Sequence, residues 1–199
     1  MNFELLVATS NQHKLKEIRQ ILSPHHITVY GMSDLNISIE EVEENGKTYF
    51  DNALIKATAL QKVTKMPIIA DDSGIEIEAM NNMPGLMSAR YAESCGGHDK
   101  AIQQILKSIK GKSRKAKFIC DIVLVNVEDK PLRFEGVVNG HIAEEVDGNG
   151  GFGYDPIFIC DEIGKTYASL SEQEKNKVSH RAKALQKLLT YLLINNRCY

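Results

Sequence analysis

Hydrophobic and polar positions alternate along the chain between two periods. Phe3 to Ala8 is a short apolar run that reads as a buried strand, and the polar Thr9-Ser10-Asn11 follows it. Leu15, Ile18 and Leu22 then recur at helical spacing up to Pro24, so the opening predicts strand, polar turn and helix. His26 to Tyr30 reads as a second strand, and Ile39 to Gly46 as an acidic turn. A helix over about Thr48 to Lys65 carries Leu54, Ala57 and Leu60 on one face, with Pro67 ending the segment. Ile68-Ile69-Ala70 runs into Asp71-Asp72-Ser73-Gly74, after which Ile75, Ile77 and Ala79 alternate with Glu76 and Glu78. Such alternation predicts a strand with one wet face.

Asn81 to Gly85 reads as a turn, and a helix over about Asp99 to Lys110 buries Ile102, Ile105, Leu106 and Ile109 before Gly111 caps it. Ala116 to Val127 and Leu132 to Val138 predict two long strands. A Gly-rich stretch, Asp147 to Pro156, leads into Ile157-Phe158-Ile159, and Ser171-Glu172-Gln173-Glu174 has capping-box spacing. An amphipathic helix from about His180 to Leu193 closes the chain. The pattern predicts a mixed α/β fold in which helices flank a long, curved, mixed sheet.

Composition narrows the function classes. The 199 residues include 24 Lys plus Arg and 26 Asp plus Glu, a net charge of −2, which excludes a polybasic nucleic-acid binder. With 43% hydrophobic and 25% charged residues, 14 Gly and 5 Pro, the chain is neither disordered nor fibrous. Its length suits one domain, 1–199, built of two intimate lobes, and it folds without a structural metal or disulfides. No apolar run approaches the roughly 20 residues of a membrane span, and Leu5 to Ala8 is too short for a leader core. The expected setting is cytoplasmic, with no membrane partner. Cys95, Cys120, Cys160 and Cys198 form no Cys-x-x-Cys pair and read as reduced thiols.

Five segments carry candidate chemistry. Thr9-Ser10-Asn11-Gln12-His13-Lys14 stands where a strand gives way to a helix, so it either caps that helix or cradles a phosphate on its amides with Lys14 one turn in. It lacks the glycines of a Walker loop. Asp71-Asp72-Ser73-Gly74 sits where α/β sheets place ligands, at the C-terminal edge of a strand; it is a plain turn or a site. Adjacent carboxylates on a strand point to opposite sides, so one can hold a divalent cation or activate water while the other anchors the turn. Glu40, Glu41, Glu43 and Glu44 form a solvated acidic face or supply a second carboxylate. Gly150 to Asp155 is a turn with two core aromatics, or a platform on which Phe152 and Tyr154 stack a base. Lys175, His180 and Arg181, with Ser179, bring donors to the start of the last helix, where they read oxygens or are simply exposed.

Taken in order, Thr9-Ser10-Asn11-x-x-Lys14, Ala70-Asp71-Asp72-Ser73-Gly74, Pro84-Gly85-x-x-Ser88-Ala89-Arg90-Tyr91, Gly150-Gly151-Phe152-Gly153-Tyr154-Asp155-Pro156 and Ser179-His180-Arg181 resemble the inosine/xanthosine triphosphate pyrophosphatase family end to end. The resemblance implies a two-lobed fold with the active-site cleft between the lobes, and a homodimer. It also implies that Thr9, Ser10, Asn11, Gln12, His13 and Lys14 grip a triphosphate, with Lys56 near the phosphates. Asp72 is then the proton acceptor and a Mg²⁺ ligand, and Ser73 touches substrate. The second metal ligand is a Glu just before Gly46, either Glu43 or Glu44; we assign Glu43. Phe152, Gly153, Tyr154, Asp155, Lys175, His180 and Arg181 surround the purine. The chain departs from the family pattern at Asn81-Asn82, where a Gly pair is common, and at Met87, where an aromatic is common.

The implied reaction is attack of water on the α-phosphorus of ITP, dITP or XTP, giving a monophosphate and pyrophosphate and cleansing the nucleotide pool. Donors such as His180 and Arg181 suit a carbonyl at C6 and are left unpaired by an amino group, at about 1–3 kcal/mol per lost partner. Two alternatives remain at this stage: a pyrophosphatase for modified pyrimidine nucleotides, and a nucleotide-binding regulator without turnover.

Overall fold

The computed structural model describes residues 3–39 and 42–195. Glu40, Glu41 and Cys198, named above, lie outside the described residues. In chain order the elements are β1 (Phe3–Val7), α1 (Gln12–Leu22), β2 (Ile27–Gly31), α2 (Tyr49–Gln61), β3 (Ile68–Ile77), β4 (Met83–Pro84), α3 (Ser88–Ser94), α4 (His98–Ser108), β5 (Lys115–Val125), β6 (Leu132–Ile142), β7 (Phe158–Cys160), β8 (Lys165–Thr166), α5 (Glu172–Val178) and α6 (His180–Ile194). The strands form one mixed sheet in the order β2-β1-β3-β5-β6-β7-β8, with β4 on β3. This is the mixed, helix-flanked sheet that the periodicities predict. β1 pairs in parallel with β2 and β3, while β4, β7 and β8 pair antiparallel with their neighbours. Among the described residues no helix is long and apolar enough to cross a membrane.

The chain divides into two compact units. The first comprises 1–72, 120–136 and 181–199; the second comprises 73–119 and 137–180. In the first unit, period-2 alternation sends neighbouring side chains to opposite faces. Leu5, Val7, Ile69, Cys120, Ile122 and Leu124 pack with α1 and α6, whereas Leu6, Ala8, Ile68, Ala70, Val123 and Val125 pack with α2. These strands read as continuous apolar runs because both of their faces are covered. In the second unit Ile75, Ile77, Phe118, Val138 and Ile142 pack with Ile102 and Ile105 of α4 and with Phe158 and Tyr167. There β6 alternates exposed and buried residues from Val137 to Ile142, the mark of a sheet with one wet face.

The structure corrects several boundaries. Asp71-Asp72-Ser73-Gly74 is not a turn at a strand edge but the middle of the ten-residue β3. α2 ends at Gln61 rather than near Lys65, with Val63 and Thr64 both returning their N–H groups to the Leu60 carbonyl before Pro67. β6 runs on to Ile142 rather than stopping at Val138, and the seven-residue α3 stands where no helix was expected. The Asn81-Asn82 departure has a physical reason: both residues adopt left-handed backbone, with φ of 54° and 63°. Glycine takes that conformation freely, and asparagine is among the residues that tolerate it best.

Candidate active site

In the first unit the helix start of α1 is built by Asn11. Its Oδ1 accepts the amides of His13 at 3.0 Å and Lys14 at 3.1 Å, and the Asn11 amide donates to Thr9 Oγ1 at 3.2 Å. Ser10, Gln12 and His13 are exposed around this turn, with Gln12 Nε2 reaching the Ser10 carbonyl. Lys14, one turn in, points its ammonium to Asp71 Oδ2 at 3.0 Å.

Asp71 and Asp72 leave β3 on opposite faces, as their alternation requires. Asp71, 2% exposed, faces α1 and α6: Oδ2 accepts from Lys14 and from Arg181 Nε (3.3 Å) and Nη2 (3.1 Å), and Cys120 Sγ lies 3.9 Å away. Among the described residues its Oδ1 has no hydrogen-bond partner. Burial acts to raise its pKa, but the charges of Lys14, Arg181 and Lys56 outweigh that and hold the carboxyl well below the usual carboxylate range. Asp72 faces α2, where Asn52 Nδ2 donates to its Oδ2 at 3.0 Å and Lys56 Nζ stands 3.8 Å from Oδ1. Burial pushes the Asp72 pKa up against the opposing pull of Lys56 and Lys14. One carboxylate is therefore held ionised and the other is made more basic, a separation of environments that suits one anchor and one proton acceptor.

α2 carries this second face. Its start is fixed by a capping box between Thr48 and Asp51. Asn52, 2% exposed, accepts the Gly46 amide at 2.8 Å while donating to Asp72, so it ties the acidic loop to the strand. One turn on, Lys56 also meets Glu44 Oε2 at 3.2 Å. Glu44 and Asp72 thus share one ammonium. Glu43 is exposed and Glu44 is half-buried, so Glu44 is the carboxylate turned toward Asp72. Asn52 was absent from the sequence-derived set. Its spacing of four residues from Lys56 on one helix face is the signal that points to it.

In the second unit Asp155 organises the Gly-rich segment. Its Oδ2 accepts the Phe152 amide at 2.8 Å and the Lys175 ammonium at 2.6 Å, and both charged groups are at most 4% exposed. The ammonium lies 4.5 Å from the centre of the Phe152 ring, a cation–π contact. Gly153, at φ +66°, lets the chain turn between the two aromatics. Tyr154 is buried, packs edge-on with His98 and donates its hydroxyl to the Ser88 carbonyl at 2.7 Å. His180, 4% exposed, stacks on Phe118 with centroids 4.5 Å apart, and Ser73 is half-buried.

Arg181 follows His180 directly in the sequence and also reaches across to β3 and α1. Arg181, 1% exposed, lies in the first unit, bound to Asp71 and, through Nη1, to Glu17.

A model of the Ham1 family matches residues 5–191. A Caldanaerobacter subterraneus protein named dITP/XTP pyrophosphatase is 44% identical over 193 residues, 95% of this chain and 96% of its own length. The Bacillus subtilis protein of the same name is 42% identical over 188 residues, 93% of this chain and 94% of its own. The solved Ham1 protein of Staphylococcus aureus superposes with a TM-score of 0.84 at 36% identity, covering 96% of this chain and 99% of that one. The motif resemblance and these matches agree, and the chain belongs to the Ham1 family.

Proposed function

We propose that the protein hydrolyses deaminated purine nucleoside triphosphates, ITP, dITP and XTP, to the monophosphate and pyrophosphate, as a homodimer acting on the cytoplasmic nucleotide pool. The observation that carries the chemistry is the pair of adjacent carboxylates on β3, split between Lys14 on one face and Asn52 with Lys56 on the other. Asp72 acts as proton acceptor toward the attacking water, and its burial, which raises its basicity, supports that role. Lys14 and Lys56 offset the charge that develops on the departing pyrophosphate. Thr9, Ser10, Asn11, Gln12 and His13 form the turn that meets the phosphates, and Ser73 touches the substrate.

The carboxylates fit Mg²⁺. Hard oxygen ligands are what it prefers, commonly one or two carboxylates with phosphates and water completing the shell. Asp72 and Glu44 are two such donors, bridged by one ammonium that shows where positive charge is favoured. The geometry therefore favours Glu44 over Glu43 as the second ligand. Bound Mg²⁺ would polarise the phosphates and lower the pKa of bound water.

In the second unit Phe152, Gly153, Tyr154, Asp155, Lys175 and His180 are the proposed purine-reading residues. Donors there favour a carbonyl at C6, and an amino group leaves them unpaired.

A Mg²⁺-dependent panel of ITP, dITP, XTP, GTP, ATP, methylated UTP and dTTP, scoring pyrophosphate apart from phosphate, tests the reading. Pyrophosphate from ITP, dITP and XTP well above ATP is expected; equal kcat/KM for ITP and ATP overturns it. Asp72→Asn is expected to lower kcat about 10²- to 10⁴-fold. Sedimentation at twice the 22.2 kDa chain mass is expected, and only the single mass refutes the dimer.

A further inference from the structure

The Gly-rich segment is held from within by Asp155, which accepts the Phe152 amide and the Lys175 ammonium. The Tyr154 hydroxyl instead leaves the segment and donates to the Ser88 carbonyl at 2.7 Å, 66 positions away in the chain. Ser88, 6% exposed, opens α3. Its Oγ accepts the Ile75 amide of β3 at 3.0 Å and donates to the Gly85 carbonyl at 2.6 Å. A hydroxyl does both at once, and an apolar side chain does neither. The Gly85 turn is pressed onto the same strand, since a methyl on Gly74 would collide with the Gly85 carbonyl. Gly74 directly follows Ser73, the residue assigned to substrate. One buried serine therefore joins three segments of the second unit: β3 just past Ser73, the Gly85 turn, and the loop that carries Phe152. A serine that merely closed a turn would need the Gly85 contact alone.

We propose that Ser88 is a positioning residue: through the Tyr154 hydroxyl it fixes the loop of residues 152–155 on the strand that carries Ser73, so that the base-stacking ring and the substrate-touching serine keep one spacing. The ligand in this proposal rests on the pyrophosphatase reading, whereas the tether does not. Ser88 acts by fixing where its own carbonyl stands. Its Oγ bonds to β3 and to the Gly85 turn immobilise the peptide whose oxygen Tyr154 uses.

The test uses the full chain. Tyr154→Phe removes the hydroxyl and keeps the ring with its edge contact to His98, and Ser88→Ala removes the Oγ. Each is expected to raise the KM for ITP about fivefold, the factor of one neutral hydrogen bond, while kcat stays within about twofold. Calorimetric affinity for inorganic tripolyphosphate, which has no base to stack, should stay within about twofold of wild type. Because Ser88 acts through Tyr154, the double variant should bind ITP within about twofold of the weaker single variant, whereas independent roles would multiply to about 25-fold. In the ligand-free protein, amide hydrogen exchange over residues 150–155 should quicken in both variants while α1 keeps its wild-type rate, a local change that general destabilisation does not give. Multiplied effects on KM, or loop exchange unchanged in both variants, overturn the proposal. Tripolyphosphate affinity that falls in step with KM overturns it too, because the damage then reaches beyond the loop. Should Ser88→Ala fail to fold, Tyr154→Phe decides: unchanged KM or unchanged loop exchange overturns the proposal. Wild-type protein that releases no pyrophosphate from ITP sinks the pyrophosphatase reading alone, and loop exchange still decides the tether.

Discussion

Asp155→Ala is expected to destabilise the protein sharply, because it removes the carboxylate beside a buried cation. Lys175 is 4% exposed and Asp155 3%. Their 2.6 Å contact is buried on both sides, so solvent cannot replace the lost carboxylate. Removing one partner of such a pair costs about 3–5 kcal/mol. The Phe152 amide loses its 2.8 Å acceptor as well. For a chain of this length each kcal/mol shifts Tm by roughly 2–4 °C, so the variant should melt about 6–20 °C below wild type. Removing both charges is a different perturbation. Asp155→Leu combined with Lys175→Met replaces the pair with apolar groups of similar volume, and buried pairs replaced this way often lose little stability. The double variant should therefore recover most of the loss while remaining impaired with ITP. Thermal melts and urea midpoints of wild type, both single variants and the double variant give the coupling energy. If Asp155→Ala melts within about 2 °C of wild type, or the double variant is no better than the single, the reasoning about this pair is wrong.

Three further outcomes are expected. Gly74→Ala should cost about 1–3 kcal/mol by overpacking, since its methyl would stand 2.8 Å from Ser88 Oγ and against the Gly85 backbone; an unchanged urea midpoint would show that this contact yields. Glu44→Gln should raise the Mg²⁺ concentration for half-maximal turnover more than Glu43→Gln does, and the reverse order in a Mg²⁺ titration would return the ligand role to Glu43. Glu174, whose pKa is lowered by hydrogen bonds from the Ser171 backbone and side chain, adds stability above its unfolded value. That contribution fades as pH falls below the usual glutamate range, so the stability of Glu174→Gln should vary less between pH 5 and 3 than that of wild type, as read by urea midpoints across that window.

Local rules carried much of this architecture. The strand, turn and helix of the first 22 residues follow from Leu5 to Ala8, the Asn11 cap and the helical spacing of Leu15, Ile18 and Leu22. The capping boxes at Thr48 and Ser171 set their helices where the chain's own residues demand. What remained hidden was non-local. Asp71-Asp72-Ser73-Gly74 has the composition of a turn, and it stays in a strand because Lys14, Asn52 and Arg181, far away in the sequence, satisfy its carboxylates. The same distance concealed the contact between Arg181 and Asp71, which are 110 positions apart. Glu43 and Glu44 could not be told apart because an irregular loop has no period to set which side chain faces inward. The ion pair between Lys56 and Glu44 is visible only in three dimensions.

The alternation along β3 makes the reaction hostage to a distant alignment. Which of Asp71 and Asp72 is sealed beside Arg181, and which meets Asn52, is decided by parity alone. That parity is fixed where β3 lies beside β1, with Leu6 opposite Ile68 and Val7 opposite Ile69. A slip of one residue there would exchange the two carboxylates, turning the proposed proton acceptor into the anchor without altering a single side chain. The apolar identity of Leu6, Val7, Ile68 and Ile69, each bound to one layer of the core, is what forbids that slip. Single-residue insertions or deletions between Ile68 and Asp71 should therefore abolish turnover in a chain that keeps every residue of its active site.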